Sequence, residues 1–145
     1  MIANQKTEIR YLKQADMETV IELLQSNSIY RPNSEDFDTI WQEFNQQQNV
    51  HAFVATMNDI VVGYGCLCVE VKIRGGRLGH IEDIVTDPHH RSMGIGKCMV
   101  THLLQIAEEQ NCYKVVLQCD ENNIPFYEKC GFHRSEFGMS QFCVK

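Results

Sequence analysis

Basic residues are scarce: 13 Lys and Arg stand against 19 Asp and Glu, for a formal charge of −6 and a pI near 5.4. A polynucleotide surface demands clustered cations, so nucleic acid is excluded as a partner and any polyanion must be gripped locally. No apolar run approaches the roughly 20 residues that cross a bilayer as a helix, and Met1 to Lys13 lacks the hydrophobic core of an export signal. The expectation is a cytoplasmic protein with no membrane partner. The seven cysteines contain no C-x-x-C pair and no His at zinc spacing. That removes the usual metal frameworks and leaves reduced, structural thiols, with Cys130 the first candidate if one of them reacts. Repeats, linkers and low-complexity segments are absent as well, so residues 1–145 read as a single domain.

What is present centres on His80 to Ala107, HIEDIVTDPHHRSMGIGKCMVTHLLQIA. A β-rich run through Ile81, Ile84, Val85 and Thr86 meets a turn at Asp87-Pro88 and crosses a loop. It then opens into a helix whose apolar positions Ile95, Met99, Leu103, Ile106 and Ala107 repeat at helical spacing. The loop residues Arg91, Ser92, Met93, Gly94, Ile95 and Gly96 place two glycines where that helix begins. Glycine leaves backbone N–H groups uncovered, and at a helix N-terminus several such donors converge at the positive end of the dipole. A pyrophosphate is the natural guest, with Arg91 and Lys97 adding charge. The spacing R-x-x-G-x-G is neither the dinucleotide G-x-G-x-x-G nor the G-x-x-x-x-G-K-[ST] phosphate loop.

Around this stretch the patterning predicts a strand over Glu8–Leu12, a helix over Met17–Gln25 capped by Asp16, and a helix from Ser34 to about Phe44. Strands follow at Val50–Met57 and Ile60–Val71, joined by a hairpin at Asn58-Asp59. Gly63 and Gly65 either weaken the second of these or permit a close approach. After a Gly75-Gly76 turn the central strand starts at Leu78. Downstream of the loop helix lie a strand over Tyr113–Cys119, a short helix over Ile124–Lys129, and strands over Phe132–Phe137 and Met139–Val144. The order is that of a mixed α/β domain. Glu82 and Asp83 are carboxylates in an otherwise apolar strand, and strict alternation sends them to opposite faces. Buried charge is costly, so they belong beside a cleft or in an ion pair.

The glycine loop resembles the acetyl-coenzyme A (acetyl-CoA) loop of the GNAT N-acetyltransferase superfamily, and PFYEKCGF from Pro125 to Phe132 resembles the segment that closes the coenzyme A site there. The resemblance implies an α/β GNAT fold, a mixed central sheet of about six to seven strands flanked by about four helices. It implies acetyl-CoA as co-substrate and no metal. It assigns the pantetheine and thioester oxygen to the backbone of Ile84, Val85 and Thr86, the pyrophosphate to Arg91 through Lys97, and the proton for the departing thiolate to Tyr127. A phenol of pKa about 10 donates sensibly to a thiolate whose acid lies near about 8.5. If the amine arrives protonated, Glu82 is the base, directly or through a water.

From Glu70 to Phe132 the chain further resembles the glucosamine 6-phosphate N-acetyltransferases, through Glu70, Lys72 and Ile73, GHIEDIVT at Gly79 to Thr86, CYK at Cys112 to Lys114, and CDENNIPFYEKCGF at Cys119 to Phe132. That resemblance implies a homodimer holding a small amine acceptor between its subunits, with Glu82, Asp83, Tyr113 and Lys114 as acceptor contacts. Two positions depart from the pattern: Gln118 stands where an acidic residue is usual, and no arginine follows Met139 to bind a phosphate. Gln118 can hydrogen-bond a sugar but carries no charge. Another cation must then serve, and Arg31, Lys72, Lys114, Arg134 and Lys145 are available, Arg31 in the loop between the first two helices. Three readings stand: acetyl transfer to glucosamine 6-phosphate, acetyl transfer to a different amine, and a coenzyme A binding module without catalysis.

Overall fold

The computed structural model describes residues 6–143. Its strands are β1 (Glu8–Tyr11), β2 (Val50–Met57), β3 (Ile60–Val71), β4 (Arg77–Thr86) and β5 (Cys112–Val116), and its helices α1 (Met17–Leu24), α2 (Phe37–Asn45), α3 (Ile95–Glu109) and α4 (Ile124–Lys129). The sheet runs β1-β2-β3-β4-β5 in chain order, antiparallel throughout except for the parallel pair β4 and β5. A parallel pair needs a long crossover, and α3 supplies it. The Asn58-Asp59 hairpin forms as the sequence predicts. Both residues have positive φ, 51° and 64°, the backbone of a tight turn whose twist matches its strands.

Helix α3 covers one face of the sheet. Ile95, Met99, Leu103 and Ala107, spaced along one side of the helix, are buried against Phe53, Ala55, Leu67, Val69 and Ile81. Each such side chain contributes roughly 1.5–3 kcal/mol on burial. The glycines of β3 make the approach possible: a Cβ on Gly65 would lie 2.7 Å from the Met99 side chain and 2.8 Å from that of Ile84. The other face carries α1 and α2, where Val20, Leu23 and Phe44 pack over Ala52, Val54, Tyr64, Cys66 and Val85.

Three expectations are corrected. Among the described residues the sheet has five strands, not six or seven, because Phe132–Phe137 and the described part of Met139–Val144 run without a strand partner. Phe137, Met139 and Phe142 stand 94–98% exposed. Val144 and Lys145 lie outside the described residues. β5 stops at Val116 rather than Cys119, since its partner β4 diverges there. Asp16 begins α1 but does not cap it with its side chain. Its carboxylate instead accepts a two-pronged bond from Arg10 at 2.7 and 2.8 Å and the Lys13 N–H at 2.9 Å, and a charged fork outcompetes a neutral cap.

Candidate active site

The site lies where β4 and β5 part. Their pairing ends at His80 and Val116, yet β4 continues to Thr86, still bonded on its other side to β3. One backbone edge of Ile81–Thr86 therefore faces a gap instead of a strand. Ile84, Val85 and Thr86 lie along it. One group there is already engaged: the Ile84 carbonyl accepts a bond from Asn27 Nδ2 at 3.0 Å. Asn27, just after α1, carries no sequence signal for this role, which depends on the fold alone.

At the end of β4 the Asp87 carboxylate accepts from the His89 N–H at 3.1 Å and pairs with His90 Nδ1 at 3.1 Å. Both neighbours favour its charged form, the His89 N–H most, and hold it below the usual carboxylate range. This clamp turns the chain into the glycine loop. Ser92 and Gly94 then adopt positive φ, 67° and 78°. Gly94 precedes α3 with no side-chain cap, so the N–H groups of Ile95, Gly96 and Lys97 lack intrahelical partners. A Cβ at Gly94 would meet nothing within 4 Å, which leaves these donors open to a ligand. Arg91 and Lys97 are exposed and make no ion pair among the described residues. Met93 is half-exposed, whereas the Ile95 side chain is buried, so Ile95 offers only its backbone. Loop and helix together present the open backbone donors and nearby cations that an anion requires.

Helix α4 packs on the first turn of α3, and a Cβ on Gly96 would lie 3.2 Å from the Phe126 ring. Tyr127 is half-buried between Phe126 and Phe132, with ring centroids 4.9 and 6.0 Å away. Burial, then the nearby thiols Cys119 and Cys130, raise its pKa above the phenol value. Its hydroxyl has no hydrogen-bond partner among the described residues.

Glu82 and Asp83 do not point to opposite faces. Asp83 has φ 57°, and the register with β3 slips between Tyr64 and Cys66, so that β4 holds one residue more than its partner. This bulge reverses the phase of the strand. Ile84 packs toward Met99 and Leu103 on the α3 face, while Glu82 lies directly opposite Cys66 and Asp83 lines a cavity with Val20 and Tyr64, all on the α1 side. Asp83 borders a largely apolar cavity of about 200 Å³ lined by Leu12, Met17, Ile21, Trp41 and Tyr64. An alternating pattern of residue types gives no sign of an inserted residue.

Of the remaining predicted contacts, Lys72, Tyr113 and Lys114 stand toward the far end of β4. Lys114 pairs beside Leu78, four residues before Glu82, or about 13 Å along the strand. Near that end the Tyr113 hydroxyl accepts from Arg74 at 2.8 Å, and Glu70 bonds both Lys72 and His80 at 3.0 Å. Arg31 pairs with Glu22 on α1 at 2.6 Å. Gln118 is exposed, and a Cβ on Gly138 would stand 2.6 Å from its Nε2.

Residues 17–132 match the model of the acetyltransferase (GNAT) family. The chain belongs to this family. As a GNAT protein it is similar to the glucosamine 6-phosphate N-acetyltransferase of Candida albicans, 36% identical over 77% of this chain and 76% of that one. It is 46% identical to the enzyme of that name from Trypanosoma brucei brucei, over 54% of this chain and 55% of that protein's length. The crystal structure of glucosamine-6-phosphate N-acetyltransferase from Arabidopsis thaliana superposes with a TM-score of 0.87 at 30% identity, over 97% of this chain and 100% of that one. The family gives the chain an acetyltransferase fold and chemistry.

Proposed function

We propose that this acetyltransferase moves the acetyl group of acetyl-CoA onto the amine of glucosamine 6-phosphate, as a cytoplasmic homodimer. One observation carries the reading: β4 presents an unpaired backbone edge beside the glycine loop and, one bulge earlier, two carboxylates on a single face. The names of the relatives support the choice of sugar. The donor supplies an activated thioester.

In this reading the N–H groups of Ile95, Gly96 and Lys97, with the Arg91 and Lys97 side chains, hold the pyrophosphate. The free edge of β4 at Ile84–Thr86 orients the thioester and steadies its developing oxyanion. Glu82, directly or through a water, takes a proton from the amine. The amine nitrogen bonds to the acetyl carbon as the carbon–sulfur bond breaks, and Tyr127 gives its phenolic proton to the departing sulfur. Asp83 orients the sugar. Tyr113, Lys114 and Lys72, remote from Glu82 along the sheet, reach the acceptor from a second copy of the chain, and Gln118, two residues past the His80–Val116 pair, hydrogen-bonds the sugar. The exposed Phe137, Met139 and Phe142 are the apolar surface such a copy would cover.

The deciding test is thiol release from acetyl-CoA with glucosamine 6-phosphate beside unphosphorylated glucosamine. Release that depends on the phosphate is expected, and equal rates with both sugars would refute the assignment. A different amine is favoured by one observation, the apolar cavity bordered by Asp83, which suits a cation on an apolar body. Faster release with an arylalkylamine than with the sugar phosphate would establish that reading instead.

A further inference from the structure

Two of the seven thiols stand together outside the machinery described above. Cys66 and Cys68 are two residues apart on β3, so both face the α1 side of the sheet, and their sulfurs are 4.0 Å apart. Cys66 is buried at 4% exposure, whereas Cys68 is partly open. Across β4 their register partners are Glu82 for Cys66 and His80 for Cys68; across β2 they are Ala52 and Val50. Tyr64 and Asp83 complete the charged and titratable surroundings. The sulfur–sulfur contact pushes the Cys68 thiol down, helped by His80 and opposed by burial, Glu82 and Asp83. The same contact, with burial, pushes Cys66 up. Burial also raises Cys112, Cys119 and Cys130, which makes Cys130 a poor choice for the reactive thiol. Exposure therefore sets Cys68 as the sulfur a solute can reach and Cys66 as the thiol behind it.

We propose that Cys66 and Cys68 form a reversible oxidation site for hydroperoxides. The Cys68 thiolate attacks a peroxide oxygen and the O–O bond breaks. With hydrogen peroxide, Cys68 becomes a sulfenic acid and the other oxygen leaves as water after taking up a proton. The Cys66 thiol then condenses with it: an S–S bond forms, the S–O bond breaks, and the Cys66 proton departs with the hydroxyl as a second water. The pair loses two electrons and the peroxide gains them.

Two residues of strand separate the Cα atoms by about 6.7 Å, near the upper end, about 6.8 Å, of the range a disulfide spans. The bond closes only by pulling β3 together, and strained disulfides are readily reduced. The pull is exerted directly opposite Glu82 and the bulge. Resting on the reading that Glu82 faces the acceptor, oxidation therefore weakens acceptor binding and leaves the glycine loop before α3 intact.

The test treats the reduced full chain with hydrogen peroxide, with and without the sulfenic-acid trap dimedone, and maps the products by peptide mass spectrometry. The expected products are an intramolecular disulfide within β3 in the native chain and a dimedone adduct on Cys68 in Cys66→Ser. Cys68→Ser and Cys68→Ala should lose both products while keeping acetyl transfer. In the oxidised native chain the acceptor KM should rise by about tenfold or more, with acetyl-CoA binding unchanged and recovery in dithiothreitol. First oxidation at Cys98, Cys119 or Cys130, or an equal rate in Cys68→Ser, overturns the proposal. The mapping needs no activity, so a chain that acetylates no amine sinks the functional assignment without touching this one.

Discussion

Burial and the neighbouring Cys119 and Cys130 raise Tyr127 above the phenol range, so the side chain cast as proton donor keeps its proton through neutral pH. An acid with a raised pKa acts below that pKa and fails as pH climbs through it, which moves the alkaline loss of activity above pH about 10. Tyr127→Phe should lower kcat by about 10²-fold and remove that limb from the pH–rate profile, with acetyl-CoA affinity retained. A kcat equal to that of the parent would remove Tyr127 from the chemistry. Asp16 shows the opposite sign. The Arg10 fork, then the Lys13 N–H, hold its carboxyl below the usual range against its burial. The stability it contributes is present above the unfolded-state pKa, near about 3.9, and is lost as pH falls through the depressed folded value. Asp16→Asn should cost about 1–3 kcal/mol at neutral pH and flatten the acid side of the stability curve, as read by urea denaturation across pH.

At the scale of elements the bulge in β4 decides the site. Its pivot, Asp83, is a non-glycine residue at φ 57°, a conformation open to Asp and Gly but strained for β-branched side chains. Asp83→Gly should keep the fold and lose acceptor affinity. Asp83→Val should be less stable than Asp83→Gly by about 1–3 kcal/mol, a contrast that thermal melts resolve. Gly65 marks a second close approach. Gly65→Ala drives a methyl group into Met99 and Ile84 and should cost about 1–3 kcal/mol by loosening α3 from the sheet. The spans of β2, β3 and α4 were legible to the residue because turn chemistry brackets them: Asn58-Asp59 on one side and the Cys130-Gly131 exit on the other. The bulge and the end of β5 were not legible, since each depends on which backbone lies alongside and not on the residue's own type.

For the whole molecule the open question is what covers the C-terminal segment. Phe137, Met139 and Phe142 are nearly fully exposed in the single chain, and a second copy is the proposed cover. Sedimentation should therefore report a dimer, and Phe137→Ser with Phe142→Ser should shift it toward monomer with loss of acetyl transfer; a native chain sedimenting as a monomer would refute the arrangement. The sequence by itself determined the strand, loop and helix order as far as α4, the glycine loop and the aromatic seat of Tyr127, because these rest on local propensity, spacing and backbone freedom within a few residues. Only the tertiary structure decided that Glu82 and Asp83 share a face, that Asn27 holds the Ile84 carbonyl, and that Cys66 and Cys68 stand sulfur to sulfur beside Glu82. These depend on strand register and on contacts between segments distant along the chain, which residue order alone does not encode one position at a time.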